Sequence, residues 1–470
     1  MSASWMASWS LPAARPIVDG LLTIMLLTAV VLSRHSRGRD AHRRGTRVLQ
    51  GGAAQRRTAR LQLLRREPLV TLAGVGILPD EEAKHFKLIG STGTGKSTAI
   101  RELLAAALDR GDRAVITDPD GGYLAHFHDP GRGDAILNPF DWRSRQWDPF
   151  AEVREPYDAE QLASSLIPST EDASGREWRG YARTFLTALV RRCHETGRHD
   201  AADLWRLIAM APGTELRAIV AGTPAQPFLE PENARMFGSI RSVAGSAAAA
   251  LEHVQAQRAR AFSVRDWIDK GRGVLFLPYE ASQIAALRTI IATWVRLAIF
   301  QTMSGGSADR RLWFIVDELD ALGAIDGLKD ALARLRKFGG RCVLGFQSIA
   351  QVSSTYGVGD AQTIVENCST TLILRCSASE HGGTSQFASR LIGEREVARR
   401  STSRGRDGSG LPGGRGWRRS MNVSEQRVTE AAVLASELEQ LPDLTGYLKT
   451  ASSAAWLRVQ LRTALARGRA

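Results

Sequence analysis

The sequence has few cysteines and few long apolar runs. Its four cysteines (Cys193, Cys342, Cys368 and Cys376) lack the close paired spacing of a zinc site. Cys342 and Cys376 lie in apolar, strand-like runs, where a cysteine is usually a small core residue. We therefore predict a reducing compartment and no structural disulfide. The hydrophobic fraction, 43%, is too low for a polytopic membrane protein.

The sequence has fewer acidic residues than basic residues. The 470 residues include 62 lysines and arginines against 49 acidic residues, which gives a net charge of +13. Such an excess favours a polyanionic partner, either nucleic acid or an anionic membrane surface. Charge alone does not separate these partners from a role in solubility.

One apolar run near the N-terminus has the length of a short membrane helix. Residues 17–33 (IVDGLLTIMLLTAVVLS) are apolar except for Asp19. Eleven arginines and one acidic residue follow between positions 34 and 66. The positive-inside rule places this basic side in the cytoplasm, whereas a cleavable signal peptide carries its charge before the apolar run. We predict a single transmembrane helix, with a buried core helix as the alternative and with the arginine block suited to anionic headgroups.

Alternating strand and helix patterns predict an α/β fold. Apolar strands are expected at 85–90, 114–118, 135–138, 273–278, 312–316, 341–346 and 370–374. Continuous apolar strands of this kind are typical of a parallel sheet covered on both faces.

Changes in composition predict the domain boundaries. A Gly-, Ser- and Arg-rich segment, 395–419, cannot bury a core, and we expect it to be mobile. The predicted parts are an N-terminal segment with the membrane helix (1–33), a basic linker (34–80), an all-α insertion (156–262) and a nucleotide-binding α/β domain (81–155 and 263–470).

Residues 90–97 (GSTGTGKS) fit the phosphate-binding pattern G-x-x-x-x-G-K-[ST] between a predicted strand and a predicted helix. Glycines let backbone N–H groups wrap a phosphate, and the helix N-terminus adds its positive dipole end. Lys96 is predicted to reach the β- and γ-phosphates of ATP, and Ser97 to ligate Mg²⁺; an ordinary glycine turn is the alternative. The predicted nucleotide-binding residues are Gly90, Ser91, Thr92, Gly93, Thr94, Gly95, Lys96, Ser97 and Thr98.

Further candidates lie where other strands end. Asp317 and Glu318 follow the strand at 312–316, at the sheet edge where α/β sites lie. Asp317 is predicted to hold Mg²⁺ through water and Glu318 to polarise the attacking water. Gln347 is a candidate γ-phosphate sensor. A solvated strand end and a plain loop amide are the respective alternatives.

Three basic residues, Arg334, Arg336 and Lys337, lie at the end of a predicted helix before Gly339. A basic last turn suits the helix dipole, which is one interpretation. The other makes Arg336 an arginine finger for the nucleotide of a neighbouring subunit.

These motifs resemble the TrwB/TraD-type coupling proteins of bacterial conjugation, a branch of the FtsK/HerA-like hexameric motor ATPases. The resemblance runs from about residue 72 to about residue 450. Its landmarks, besides the P-loop and the helical insertion, are ITDPDG (116–121), ILNPFD (136–141), DEL (317–319), GFQS (345–348) and LPDLTGY (441–447).

The resemblance implies a RecA-like nucleotide-binding domain, a membrane-proximal helical domain and a homo-hexameric ring at the bacterial inner membrane, with the bulk of each chain cytoplasmic. It implies DNA-stimulated ATP hydrolysis, and recruitment of a relaxase–single-stranded DNA complex (the relaxosome) to the channel proteins of a type IV secretion system. It implies a trans-acting role for Arg336. The family usually has two membrane helices, whereas one is predicted for this chain. The resemblance also supports the predicted roles of Lys96, Ser97, Asp317, Glu318 and Gln347.

Two other functions stay open. One is an FtsK-like translocase of double-stranded DNA, although several membrane helices and a C-terminal sequence-reading domain are not visible. The other is a docking adaptor that binds ATP, scarcely hydrolyses it and recruits protein substrates. For DNA contacts, Arg176, Arg179, Arg183 and the loop 404–419 are candidates, and a solvated charged face is the alternative for each.

Overall fold

A computed structural model describes residues 41–64, 67–169, 173–197, 200–305, 310–378, 383–407 and 418–462. The predicted membrane helix at 17–33 lies outside these residues. Among the described helices, Ile284–Gly305 has the length and hydropathy of a membrane span, but 67% of its most apolar stretch is buried inside the protein. The core helix of a soluble domain meets the same two criteria, so this helix is weak evidence for a span.

Strands and helices alternate along much of the described chain. The strands are β1 (Ala41–Gly45), β2 (Val48–Gln50), β3 (Thr71–Leu72), β4 (Val75–Gly76), β5 (Phe86–Ile89), β6 (Arg113–Pro119), β7 (Ala135–Ile136), β8 (Gln146–Trp147), β9 (Ala261–Phe262), β10 (Val274–Tyr279), β11 (Leu312–Val316), β12 (Gly340–Phe346), β13 (Thr370–Ile373), β14 (Glu394–Asp407), β15 (Arg418–Ala431), β16 (Thr445–Lys449) and β17 (Trp456–Gln460). The helices are α1 (Gly52–Leu64), α2 (Pro79–Glu82), α3 (Lys96–Asp109), α4 (Gly122–Phe127), α5 (Asp158–Leu166), α6 (Ala173–Glu195), α7 (Ala201–Ala209), α8 (Gly213–Val220), α9 (Ala234–Ala248), α10 (Ala250–Gln255), α11 (Val264–Lys270), α12 (Ile284–Gly305), α13 (Leu328–Leu335), α14 (Ile349–Tyr356), α15 (Val358–Asn367), α16 (Gly383–Ile392) and α17 (Ala435–Glu439).

The larger of two compact units, 48–391 with 433–470, is built on a ten-stranded sheet. Its strand order is β2-β17-β16-β13-β5-β12-β11-β6-β10-β7. The seven strands from β13 to β7 are parallel, whereas β16 runs antiparallel to both β13 and β17. The predicted α/β fold with a mostly parallel central sheet is therefore confirmed.

The parallel strands are recognisable in the sequence because they are buried along their whole length. Every residue of β5, β10, β11, β12 and β13 is buried. Helix α3 packs on this sheet through Ile100, Leu103 and Leu104, in one core with Phe86 and Trp313 of the strands. The carboxyl ends of seven parallel strands consequently meet along one edge of the sheet, which we call the carboxyl edge; the opposite edge is the amino edge.

Between Asp158 and Gln255 the described residues form helices and no strand, in keeping with the helix-rich pattern there. Residues 41–64, within the predicted basic linker, form β1, β2 and α1. All four cysteines are free and buried.

The smaller unit, 1–47 with 392–432, contains a described three-stranded sheet in the order β1-β14-β15. The segment 395–419, which its composition predicts to be mobile, is described at 395–407 and 418–419. These residues belong to a long antiparallel pair whose register runs from Glu394 opposite Ala431 to Asp407 opposite Arg418. A strand pair satisfies its backbone groups without an apolar core, so composition did not reveal it. Ion pairs such as Arg395–Glu430 (2.9 Å) and Arg44–Glu396 (2.7 Å) connect the strands of this sheet near the start of β14.

Candidate functional site

The glycine-rich loop 90–95 joins β5 to α3 at the carboxyl edge. Gly93 and Gly95 have positive φ (77° and 116°), and a Cβ added to Gly95 would lie 2.8 Å from Leu444 Cδ2. Only glycine fits there without strain or a clash. The buried Thr94 hydroxyl donates to the Ser91 carbonyl at 2.8 Å, which closes the loop. The loop therefore ends directly at the N-terminus of α3, where free backbone N–H groups favour an anion.

Lys96, the first residue of α3, lies at the same edge of the sheet. Lys96 is buried, and its Nζ donates to the carbonyls of Gly90 (2.7 Å) and Ser91 (3.2 Å). Burial lowers the pKa of Lys96, and the nearby carboxylates of Asp317 and Glu318 oppose this effect. The lysine ammonium is thus placed inside the loop, close to two acidic side chains.

Two further residues of the predicted nucleotide-binding segment 90–98 are less buried. The Ser91 hydroxyl lies 2.8 Å from that of Ser377, which follows β13. Thr98 is half-buried in the first turn of α3. Ser377 carried no recognisable signal in the sequence.

Asp317 connects the loop to the end of β11. Its Oδ2 accepts hydrogen bonds from the Ser97 hydroxyl (3.0 Å) and the Tyr123 hydroxyl (2.8 Å). Its Oδ1 is buried and has no hydrogen-bond partner among the described residues. A Cβ added to Gly345 on the adjacent strand would lie 2.7 Å from this Oδ1. A carboxylate oxygen left without a partner beside a serine hydroxyl is the donor set that Mg²⁺ prefers, so these residues fit that ion.

Glu318 has a strained backbone conformation, and the backbone N–H of the next residue, Leu319, donates to the Gly345 carbonyl of β12 at 2.9 Å. The φ of Glu318 is 66°, which costs a non-glycine residue about 1–3 kcal/mol. The Gln347 amide donates to Glu318 Oε1 at 2.9 Å and accepts from the Thr92 hydroxyl at 2.8 Å. Burial, together with the charge of Asp317, raises the pKa of Glu318. A hydrogen-bonded relay thus links Thr92, Gln347 and Glu318, and this role of Thr92 was not expected from its place in the loop.

Asp118 at the end of β6 positions Tyr123. Its two carboxylate oxygens accept from the backbone N–H groups of Tyr123 (2.9 Å) and Leu124 (2.6 Å), which begins α4 against the sheet edge. Burial raises the pKa of Asp118 to about 6. The guanidinium of Arg101 lies over the Tyr123 ring. The motif ITDPDG marked this strand end, but the contact from Tyr123 to Asp317 depends on the fold.

Arg336 lies away from this site within the same chain. It is exposed in the short turn Arg336–Phe338, before β12 begins at the amino edge. Gln347 follows the other end of β12, and seven strand residues span about 20 Å. The structure therefore brings together Lys96, Ser97, Asp317, Glu318 and Gln347, and leaves Arg336 at the opposite edge.

Two arginines proposed for DNA contacts hold the helical segment to its own backbone. Arg179 donates to the Pro168 carbonyl (3.1 Å), and Arg183 donates to the Ile167 carbonyl (2.6 Å) and the Ser169 hydroxyl (3.0 Å). Burial lowers the pKa of Arg183. Both side chains are therefore partly buried and hydrogen-bonded within the protein, and Arg183 holds residues 167–169 in place.

Comparisons with known proteins agree with this geometry. A family model described as the type IV secretion-system coupling protein DNA-binding domain matches residues 69–462. The chain is 30% identical to coupling protein TraD of Escherichia coli (strain K12) over 81% of this chain and 52% of TraD. The chain spans about half the length of the curated relatives it matches.

Solved structures give the same likeness over nearly the whole chain. The bacterial conjugative coupling protein TrwBdeltaN70 has a TM-score of 0.80 and 32% identity, covering 92% of this chain and 96% of that one. Plasmid coupling protein TrwB in complex with ADP and Mg²⁺ has a TM-score of 0.79 and 32% identity, covering 93% and 97%.

Proposed function

Because this chain belongs to the family of type IV secretion-system coupling proteins, we propose that it is a DNA-dependent ATPase that couples a relaxase–single-stranded DNA complex to a secretion channel and pumps the DNA during conjugation. The observation that carries this proposal is the 3.0 Å contact between Ser97 and Asp317. This contact joins the phosphate-binding loop to an acidic strand end from a distant part of the chain. Nucleotide hydrolysis requires these two groups side by side, because the loop holds the phosphates and the carboxylate holds the metal ion.

The nucleotide is ATP with Mg²⁺, a choice that the TrwB complex with ADP and Mg²⁺ supports. Residues 90–98 hold the phosphates, with the backbone N–H groups of the loop and the Lys96 ammonium as donors. Ser97 and Asp317 hold the metal, and Tyr123 fixes the Asp317 carboxylate by its hydrogen bond. When bound, Mg²⁺ neutralises charge that develops on the phosphate oxygens.

Glu318 and Gln347 act on the attacking water. Glu318 accepts its proton or orients it, and the raised pKa brings this carboxyl closer to the working pH of a general base. Gln347 holds Glu318 through its amide N–H and reports the state of the loop through Thr92. Movement of Thr92 would then reach Glu318 through two hydrogen bonds.

Arg336 works in trans in this proposal. Since it lies at the amino edge of its own sheet, it can reach only the nucleotide of another copy, as in a homo-hexameric ring. An arginine finger is worth about 10³–10⁵ in rate. The site of one chain is therefore complete only with the next chain.

The chain's basic charge and N-terminal sequence suit its partners. Residues 17–33 anchor the protein in the bacterial inner membrane with the bulk of the chain in the cytoplasm. Basic side chains facing a central channel grip the phosphates of single-stranded DNA without reading sequence, so DNA binding weakens steeply with salt. The relaxosome and the channel proteins are the remaining partners.

The test compares the ATPase rate of the full chain with and without single-stranded DNA, for the wild type and for Lys96→Ala. We expect stimulation by DNA in the wild type, and loss of both ATPase activity and mating transfer in the variant. Nucleotide binding without DNA stimulation would favour the docking adaptor. Greater stimulation by duplex than by single-stranded DNA would favour the FtsK-like translocase.

A further inference from the structure

An almost fully exposed tryptophan lies near the carboxyl edge. Trp142 is 92% exposed, and Phe140, two residues earlier, is 46% exposed. Both follow β7, the last strand in the order of the sheet. Tryptophan is rarely so exposed, because its ring is large and apolar, and it is enriched among the residues that anchor protein interfaces.

The loop that carries these rings is fixed by its own hydrogen bonds. The buried Asn138 side chain donates to the Pro278 carbonyl (3.0 Å) and to Gln283 (3.1 Å), and accepts from the Phe140 N–H (2.8 Å). The two residues next to Trp142 in the chain, Asp141 and Arg143, form an ion pair with each other (2.7 Å). A partner would thus meet a preorganised aromatic side chain, and little conformational entropy would be lost on binding.

The cavity beside Trp142 has a net negative lining. It has a volume of about 260 Å³, and its described lining includes the carboxylates of Asp120, Asp141 and Glu280 and the guanidinium of Arg143, which pairs with Asp141. This net negative charge repels nucleic-acid phosphates and anionic headgroups. It favours a protein surface that carries exposed lysine or arginine.

The chain itself presents such a surface. Arg334, in the last turn of α13, and Arg336 and Lys337, in the short turn that follows, are all exposed at the amino edge; we call residues 334–337 the basic turn. Within one chain this turn and Trp142 lie at opposite ends of the strands, so they can meet only between two copies arranged head to tail.

We propose that the Trp142 loop is a contact between copies, which seats against the basic turn 334–337 of the next subunit. The inference rests on the proposed function, in which Arg336 enters the neighbour's site. The ends of β11 and β7 are three strand spacings apart, about 14 Å. A standard interface of about 800 Å² per partner is about 30 Å across, so one neighbour can cover both the end of β11 and the loop after β7.

The test is a cross-link in the full chain in detergent, between Trp142→Cys and Lys337→Cys, with a flexible bis-maleimide. The four native cysteines are buried, which keeps the background low. We expect a ladder of covalent oligomers from the double variant and predominantly single chains from each single variant. Absence of the ladder from a preparation that binds ATP overturns the proposed contact.

Trp142→Ala provides a second readout, because an exposed side chain can be removed without unfolding the chain. We expect an unchanged melting temperature and an assembly at least about tenfold weaker, seen as ATPase activity per chain that falls on dilution. Intact assembly with weakened single-stranded DNA binding would assign the patch to nucleic acid and overturn the proposal. If the wild type neither binds nor hydrolyses ATP, the proposed function fails, while the cross-link still reports the interface.

Discussion

Strand β11 connects two buried clusters of charged side chains, one at each end of the strand, that differ in how completely their charges are paired. At the amino edge, Glu82 pairs with Arg110 (2.8 Å) and Arg341 (3.0 Å), and Arg110 also pairs with Asp112. Trp313, near the start of β11, donates to Asp112 at 2.8 Å. Each carboxylate and guanidinium of this cluster has a partner of opposite charge.

At the carboxyl edge, directly after β11, the acidic groups outnumber their cations. Asp317 keeps one buried oxygen without a described partner, Glu318 adopts a positive φ, and Lys96 is the lysine that the loop places beside them. Burial of charge is therefore common to both clusters. The unpaired oxygen and the strained backbone distinguish a binding site from a structural ion-pair network.

The largest effect is expected from Glu318→Gln, which removes the proposed general base while keeping the size of the side chain and its contact with Gln347. The ATPase rate should fall by about 10²–10⁴-fold with nucleotide binding retained. Steady-state hydrolysis and fluorescent-nucleotide titration measure the two quantities. A variant with near-normal turnover would remove Glu318 from the chemistry.

Glu82→Ala at the other end of the strand should act on stability instead. It leaves Arg110 and Arg341 partly unpaired in a buried site, which costs about 3–5 kcal/mol of unfolding free energy. Urea unfolding measures this loss, and nucleotide affinity of the folded fraction should be unchanged. Equal loss of affinity and stability would mean that the two clusters are not independent.

Asp118→Asn should change the pH dependence of stability. Because burial raises the pKa of Asp118 to about 6, the folded chain holds a proton that the unfolded chain releases between about pH 4 and about pH 6. The free energy of unfolding contributed by this group therefore falls as the pH rises through that window, by at most about 3 kcal/mol. Urea unfolding across this range should give a flatter profile for the variant; identical profiles would contradict the assignment.

The smallest effect is expected from Tyr123→Phe, which removes one hydrogen bond to Asp317 and leaves the ring in place. If Asp317 ligates the metal as proposed, loss of this bond should raise the Mg²⁺ concentration needed for half-maximal ATPase activity by about tenfold. At saturating Mg²⁺ the rate should recover, and this recovery separates a positioning role from a direct one. A rate that stays low at all Mg²⁺ concentrations would contradict positioning.

Local sequence patterns were enough to predict the parallel sheet and the phosphate loop. Strands buried on both faces are continuous apolar runs, so β5, β11 and β12 were recognisable from local composition. The loop was recognisable because the spacing of its glycines and Lys96 sets its geometry over eight consecutive residues. The strand ends then placed Asp317 and Gln347 on the same edge.

Which side chains meet, at that edge and elsewhere, depends on packing between distant parts of the chain. Three contacts illustrate this: Tyr123 with Asp317, Thr92 with Gln347, and Arg183 with the carbonyl of Ile167. No periodic pattern in the sequence relates the two residues of any of these pairs, so the contacts could not be predicted from it. The pairing of β14 with β15 likewise depends on backbone hydrogen bonds, which composition does not encode. Local sequence specifies the conformation of each element, whereas register and packing select its partners.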